Sequence, residues 1–329
     1  GANVSDLAAG CVAVNLFNPL TQEMVDYVNF TARDNNKAQQ LDFTFNVTGS
    51  LYELPAGELA VAAGIEYRKE KGLDVSDNYV NADPRVNSYR TTSSAPRLGT
   101  KGEYDLTEAY VELSIPLLAD QPMVKNLELS LASRFSDYST FGNTTNSKAG
   151  LIYSPTAGLS LRATWAEGFR APSILELFEG QRATFIAVND PCAANNQLPG
   201  CVAVPSDYVQ ENSNIPITTG GNKLLTPETS ENVSFGFVYL PEFIDDFSIT
   251  VDWYDIEIND TISVFGAQNI LDLCAFKNKN CGVISRSTSG EILDLIDGPV
   301  NLNSTTVAGM DVVMHYSINN DTGKWDFSA

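Results

Sequence analysis

Apolar and polar side chains alternate with a period of two along most of this chain, the pattern of β-strands with one apolar face. Leu41, Phe43, Phe45 and Val47 alternate with Asp42, Thr44, Asn46 and Thr48. The pattern returns at 59–67, 109–115, 127–136, 149–153, 159–165, 233–239, 247–253 and 308–316. Together these segments predict about ten strands. The connections between them come in two kinds that take turns. Short ones stand near 54–58, 116–125, 154–158, 240–246 and 319–323, where Pro, Gly, Asn and Asp gather. The others cover 71–100, 139–146, 171–227 and 261–298, and all but the second are long. Residues 1–39 read as irregular and polar.

Alternation of this kind fits two arrangements. In a soluble sandwich the apolar face meets a second sheet, and in a large membrane barrel it meets lipid while the polar face lines a wet lumen. The loop lengths separate the two, because short turns on one side and long loops on the other are what an up-and-down barrel in a membrane has. Hydrocarbon offers no partner for a bare N–H or C=O, so a closed barrel is the form in which strands can span it. A crossing takes roughly 9–11 residues at a tilt of about 45°, and the segments have that length or slightly more. Tyr67, Phe135, Tyr153, Trp165, Tyr239 and Tyr316 stand near strand ends, where they suit the headgroup belts of a membrane and equally the edge of a packed core.

The net charge of −21 disfavours nucleic acid as a partner, since phosphates need Lys and Arg. There is no apolar run of the roughly 18 residues that a transmembrane helix needs, and no secretory leader pattern at the start. The chain starts at Gly1 and stops in mid-pattern at Asp326-Phe327-Ser328-Ala329, which reads as an internal piece of a longer protein. Cys192 and Cys201 flank one short polar loop, and Cys274 and Cys281 flank another. Each pair is expected to close a small disulfide loop in an oxidising compartment. Metal binding is the alternative, but neither pair has C-x2-C spacing and the single histidine, His315, lies in a strand-like run. No metal or cofactor is therefore expected. Cys11 has either a partner upstream or none.

Three stretches carry a family resemblance. Gly158 to Phe178 reads GLSLRATWAEGFRAPSILELF, a strand that runs into EGFRAPS and a Leu-rich turn. Leu224 to Asn232 reads LLTPETSEN, and Val251 to Asp260 reads VDWYDIEIND. In order and spacing they resemble the strand-end signatures of TonB-dependent outer-membrane receptors. That resemblance implies an all-β, up-and-down antiparallel transmembrane β-barrel with long extracellular loops. This chain would supply about ten of its roughly 22 strands, all of 1–329 lying in the barrel domain, with the plug domain and the C-terminal strands absent. It also implies residence in the bacterial outer membrane, contact with outer-membrane lipid, and uptake of a scarce large solute such as a ferric siderophore, cobalamin or an oligosaccharide. Uptake would be driven by the TonB–ExbB–ExbD energy-coupling complex acting through the absent plug.

Candidate ligand or lumen residues follow. Arg170 lies where its strand meets a long loop, and is expected to pair with a carboxylate at the rim or plug, or to touch ligand. Asp252 and Tyr254 share the polar face of their strand, with Trp253 on the other. The loop aromatics Phe178, Phe185, Tyr208, Phe265 and Phe276 could stack on a ligand or pack within the loops. Enzyme readings lack support: a catalytic triad needs a base, and no G-x-S-x-G, phosphate loop or dinucleotide fingerprint is present. A soluble or surface-attached all-β adhesin module is the competing class.

Overall fold

In the computed structural model, residues 11–14, 17–84, 95–194, 196–302, 304–321 and 323–329 are described. A short helix, α1 (Gln22–Val28), is capped by the Thr21 hydroxyl and stands within the stretch expected to be irregular. Six long strands follow as successive hairpins: β1 (Asn35–Leu54), β2 (Gly57–Val75), β3 (Thr100–Gln121), β4 (Val124–Tyr138), β5 (Gly142–Thr156) and β6 (Leu159–Arg170). After β6 come α2 (Ile174–Phe178), β7 (Arg182–Ala187), α3 (Pro191–Ala194) and β8 (Asn214–Thr219), before β9 (Glu228–Tyr239) and β10 (Phe247–Asn259). The next connection holds β11 (Ile262–Ser263), α4 (Ala267–Lys277), β12 (Ile284–Arg286), β13 (Ile292–Ile296) and β14 (Val300–Asn301). The described chain ends in the hairpin β15 (Thr305–Asn320) and β16 (Gly323–Ser328). Ten of these strands form one antiparallel meander in the order β1-β2-β3-β4-β5-β6-β9-β10-β15-β16.

Register assigns the faces. Phe45 pairs with Ile65, Ile65 with Ala109, Ala109 with Phe135 and Phe135 with Thr145. Farther along, Trp165 meets Val233, and Phe235 and Met310 flank Trp253. Among the described residues nothing covers this face: Phe43 and Phe45 are 64% and 65% exposed, and Phe235 is 54% exposed. An apolar surface spread over ten strands would drive a water-soluble chain to associate, and it suits lipid. The other face carries Thr44, Asn46, Glu66, Arg68, Glu108, Arg134, Asp252 and Asp311, also in register.

Three boundaries differ from the sequence reading. Pro116 lies inside β3, at a bulge between Pro116 and Leu118, where a missing N–H is tolerated. The turn itself falls at Pro122 and Met123, with Met123 at φ 64°. The expected loop at 71–100 is shorter, because β2 runs to Val75 and β3 begins at Thr100. The connection expected at 139–146 is a tight one between Tyr138 and Gly142.

The two longest connections are not loops in the ordinary sense. They fold together into an outer lobe. Its four-stranded sheet runs β12-β13-β8-β7, with β13 parallel to β8, and so joins strands from both connections. Val188, Ile215, Ile217, Ala267, Ile270, Leu271, Ile292 and Leu295 form its core beside α4. The large sheet has only a small buried hydrophobic cluster, Tyr104, Leu106 and Tyr138, near its upper end among the described residues.

Candidate functional site

The site is the rim where β6 and β9 enter the outer lobe. At Ala171-Pro172 the strand ends, since Pro cannot donate to a ladder. Ser173 then caps α2, and the Glu176 side chain accepts from the Ser173 N–H at 2.7 Å, completing a capping box. The Arg170 guanidinium grips two carboxylates at once. Nε and Nη2 donate to Glu228 at 2.8 Å each, while Nη1 and Nη2 donate to Glu176 at 2.9 and 3.0 Å. Glu228 also accepts from the Ile262 N–H at 2.7 Å. One arginine thus ties the end of β6, the start of β9, α2 and β11 together. Burial by itself would raise the Glu176 pKa, but hydrogen bonds from Arg170 and Ser173 outweigh it and hold the carboxyl below its ordinary value.

Lower on the polar face, Arg162 of β6 forms a forked ion pair with Asp252 of β10, Nε to Oδ1 at 2.8 Å. The two strands are not neighbours, for β9 lies between them. The bridge passes over Gly236, which pairs with both residues, and a Cβ at Gly236 would overlap the Asp252 carboxylate. Tyr254 lies on the same face over Gly309, its hydroxyl 2.5 Å from where a Cβ there would stand. A second such crossing joins Tyr110 of β3 to Asn46 of β1 at 2.8 Å over Gly64. Glycines on middle strands therefore let long polar side chains lie flat along the wall.

Above the rim, disulfides join Cys192 to Cys201 and Cys274 to Cys281, with Cα separations of 5.4 and 4.8 Å. The two small loops touch. Gly200 N–H donates to the Ala275 carbonyl at 3.1 Å, and Cys201 and Ala275 share a buried cluster. Asp190, whose side chain is 0% exposed, binds Arg286 from the other connection, with Nη2 to Oδ1 at 3.0 Å. Burial first, and then the Asp190 charge, pushes the Tyr208 phenol up from its ordinary pKa. Cys11 is exposed and unpaired.

Clefts open in the lobe, two of them bordered by aromatic and acidic side chains. One of about 740 Å³ is bordered by Phe185, Tyr208, Glu211 and Glu291. The other, about 320 Å³, lies between the two connections and is bordered by Asn222, Phe265 and Asp297. Burial lifts the Asp297 carboxyl above its ordinary value, against hydrogen bonds from the Gly266 and Phe265 N–H groups. Phe178 packs against Gly102, under the Lys223 ammonium at 5.4 Å, and Phe265 packs on the lobe core. Phe185 and Phe276 are exposed.

The structure thus brings Asp252 and Tyr254 to the polar face, and sets Arg170 above them at the rim. Glu176, Glu228, Arg162, Asp190 and Arg286 escaped the sequence reading. Only one had a local signal, the Ser173-x-x-Glu176 spacing of a capping box. The others pair across tens of residues.

Residues 8–329 match the family model described as TonB dependent receptor-like, beta-barrel. Among proteins of described function none matches the chain in sequence. Solved structures share the fold. The siderophore receptor PirA from Acinetobacter baumannii is 17% identical at a TM-score of 0.56, over 89% of this chain and 36% of that one. A ferric enterobactin receptor (PfeA) mutant from Pseudomonas aeruginosa is 17% identical at a TM-score of 0.59, over 88% and 35%. The Serratia marcescens hemophore receptor HasR, in complex with its hemophore HasA and heme, is 13% identical at 0.51, over 88% and 40%. The chain spans little more than a third of the length of the first two. The wall with its lipid-suited face, the motif-bearing rim and the match over residues 8–329 agree, and the chain belongs to the TonB-dependent receptors, within their β-barrel domain.

Proposed function

We propose that this chain forms part of the wall and the extracellular lobe of an outer-membrane receptor that imports a scarce, large solute, a ferric siderophore first among the candidates. The observation that carries the reading is the segregation of the connections. Tight turns close one end of the sheet, and two long connections at the other end fold into a single lobe held by two disulfides. A lobe ordered in advance loses less entropy when it closes over a ligand. The ferric enterobactin and siderophore receptors among its structural neighbours favour iron over cobalamin or an oligosaccharide. Carboxylates and amides border both clefts, which favours a ligand of neutral or positive charge for these loops. Energy would come from the TonB–ExbB–ExbD complex acting on a plug domain held elsewhere in the receptor. Arg170 acts as a rivet of the rim, because four of its N–H···O contacts are already made within the protein, whereas Asp252 and Tyr254 face the lumen.

The test is growth of a strain lacking the full receptor under iron, cobalamin or maltodextrin limitation. Growth loss confined to iron limitation, restored by the intact gene, is expected. Normal growth with iron and a defect on maltodextrin would reassign the solute, and no defect on any of them would end the uptake reading.

A further inference from the structure

We propose that the cleft between the two long connections is a binding site for a small organic cation, an ammonium or guanidinium group carried on an apolar body, with Asp297 as its counter-ion. Three buried carboxylates occur among the described residues. Glu108 is paired with Arg134 at 3.0 Å, and Asp190 with Arg286. Asp297 is 7% exposed and has no cationic partner among the described residues. A buried charge is costly unless a cation or several donors meet it. The Gly266 N–H reaches Asp297 Oδ1 at 3.3 Å, and even with a bond from the Phe265 N–H, burial remains the larger influence on this carboxyl. Capping α4, which opens after Gly266, accounts for the position of the side chain but not for its charge. An Asn or Ser oxygen would cap as well without burying an anion.

The space beside this carboxylate matches such a ligand. Its volume is about 320 Å³, at the small end of ligand sites. Ile270, Val283, Ile296 and Val300 border it with apolar surface, and Phe265 adds a ring. A carboxylate and an aromatic face are the two groups that hold an ammonium or guanidinium. Among the described residues no Lys or Arg borders the cleft to compete for Asp297. A divalent metal would need several more oxygen ligands than this one side chain offers. The walls are joined before any ligand arrives. Asn222 Nδ2 donates to the Pro299 carbonyl at 3.0 Å, and the Asp297 N–H to the Thr218 carbonyl at 3.1 Å. The Asn222 N–H donates in turn to the Glu176 carbonyl at 2.8 Å, which ties the cleft to the residue that Arg170 holds at the rim. A site ordered in this way loses less entropy on binding.

The experiment uses the full-length receptor in neutral detergent at neutral pH, with phenethylammonium as probe and phenethyl alcohol as its uncharged counterpart. Calorimetry reads the affinity and hydrogen exchange the place. The ammonium should bind and slow exchange in 218–222 and 296–300, and the alcohol should bind about tenfold more weakly. Asp297→Asn should weaken ammonium binding about tenfold while the lobe stays folded, as exchange in 261–300 reports. Glu242→Gln, at a tight turn on the opposite end, should leave binding unchanged. A free amine and an amine arm of the imported solute share this chemistry, and a ferric hydroxamate chelate with a terminal amine, compared with its N-acetylated form, separates them. Tighter binding of the amine form, lost in Asp297→Asn, assigns the site to the solute. Equal binding of the two forms, with the ammonium probe still dependent on Asp297, assigns it to a free amine. Only this arm rests on the uptake reading, so its failure leaves the probe result standing. No binding of the ammonium, equal binding of the alcohol, or undiminished ammonium binding by Asp297→Asn would each overturn the proposal.

Discussion

At the scale of single residues, the three family motifs turn out to be partners. Arg170 of the first holds Glu228 of the second, and Arg162 of the first holds Asp252 of the third. Arg170→Ala leaves Glu176 and Glu228 facing each other, half-buried, without their shared cation. In the full receptor this should lower lobe stability by about 1–2 kcal/mol after allowance for solvent, seen as faster proteolysis of 171–227. Arg170→Lys should recover less than half of that, since an ammonium cannot fork onto two carboxylates. A large loss of ligand affinity with unchanged proteolysis would make Arg170 a ligand contact. Gly236→Ala drives a methyl into the Asp252 carboxylate and should cost about 1–3 kcal/mol of barrel stability. Gly49→Ala, with open space around its Cβ, should cost far less, as measured by thermal denaturation in detergent. Parity along a strand was enough to put Asp252 and Tyr254 on the polar face. The partner of each arginine lies 58 and 90 residues away, a pairing that no local pattern encodes.

At the scale of elements, the lobe is where the sequence was least legible. The wall strands announce themselves because one face of each is apolar throughout and meets no competing core. Strands β7, β8, β12 and β13 are six residues or fewer, and α4 buries Ala267, Ile270, Leu271, Cys274 and Ala275 at helical spacing too brief to stand out. The cysteine spacing was informative, because a bridge over a short loop needs no long-range knowledge. The lobe also has a built-in pH response. Asp297 has its folded pKa raised by burial, so its contribution is complete below the unfolded value near 4 and is lost as pH rises through the folded one. Glu176 is shifted down, so its contribution holds above the unfolded value and fades as pH falls through the folded one. Asp297→Asn, which keeps an acceptor for the Gly266 N–H, should slow hydrogen exchange in 261–300 at pH 7 and have little effect near pH 4. Equal effects at both values would mean that the charge of Asp297 plays no part.

At the scale of the whole molecule, the described residues have their packed core in the lobe and little in the largest sheet, which fits an apolar face turned to hydrocarbon. The tryptophans offer a direct reading. Trp165, Trp253 and Trp325 are the three in the chain, and register puts all of them on the apolar face. Trp325 stands beside the β15–β16 turn, level with the inner belt that Phe247 and Tyr316 form in edge contact at 6.2 Å. Trp253 is stacked on Phe235 at 5.9 Å, six residues up β10, or about 14 Å along the membrane normal. Trp165 donates to Glu231 at 2.8 Å, which marks a polar boundary above it. In full receptors that keep one of these tryptophans at a time, reconstituted in bilayers, lipids brominated near mid-chain should quench Trp253 most. Lipids brominated near the headgroup should quench Trp325 and Trp165 more. Iodide in the aqueous phase should quench none of them strongly. Strong iodide quenching of Trp253, with no response to brominated lipid, would place the apolar face against water and return the chain to the soluble class.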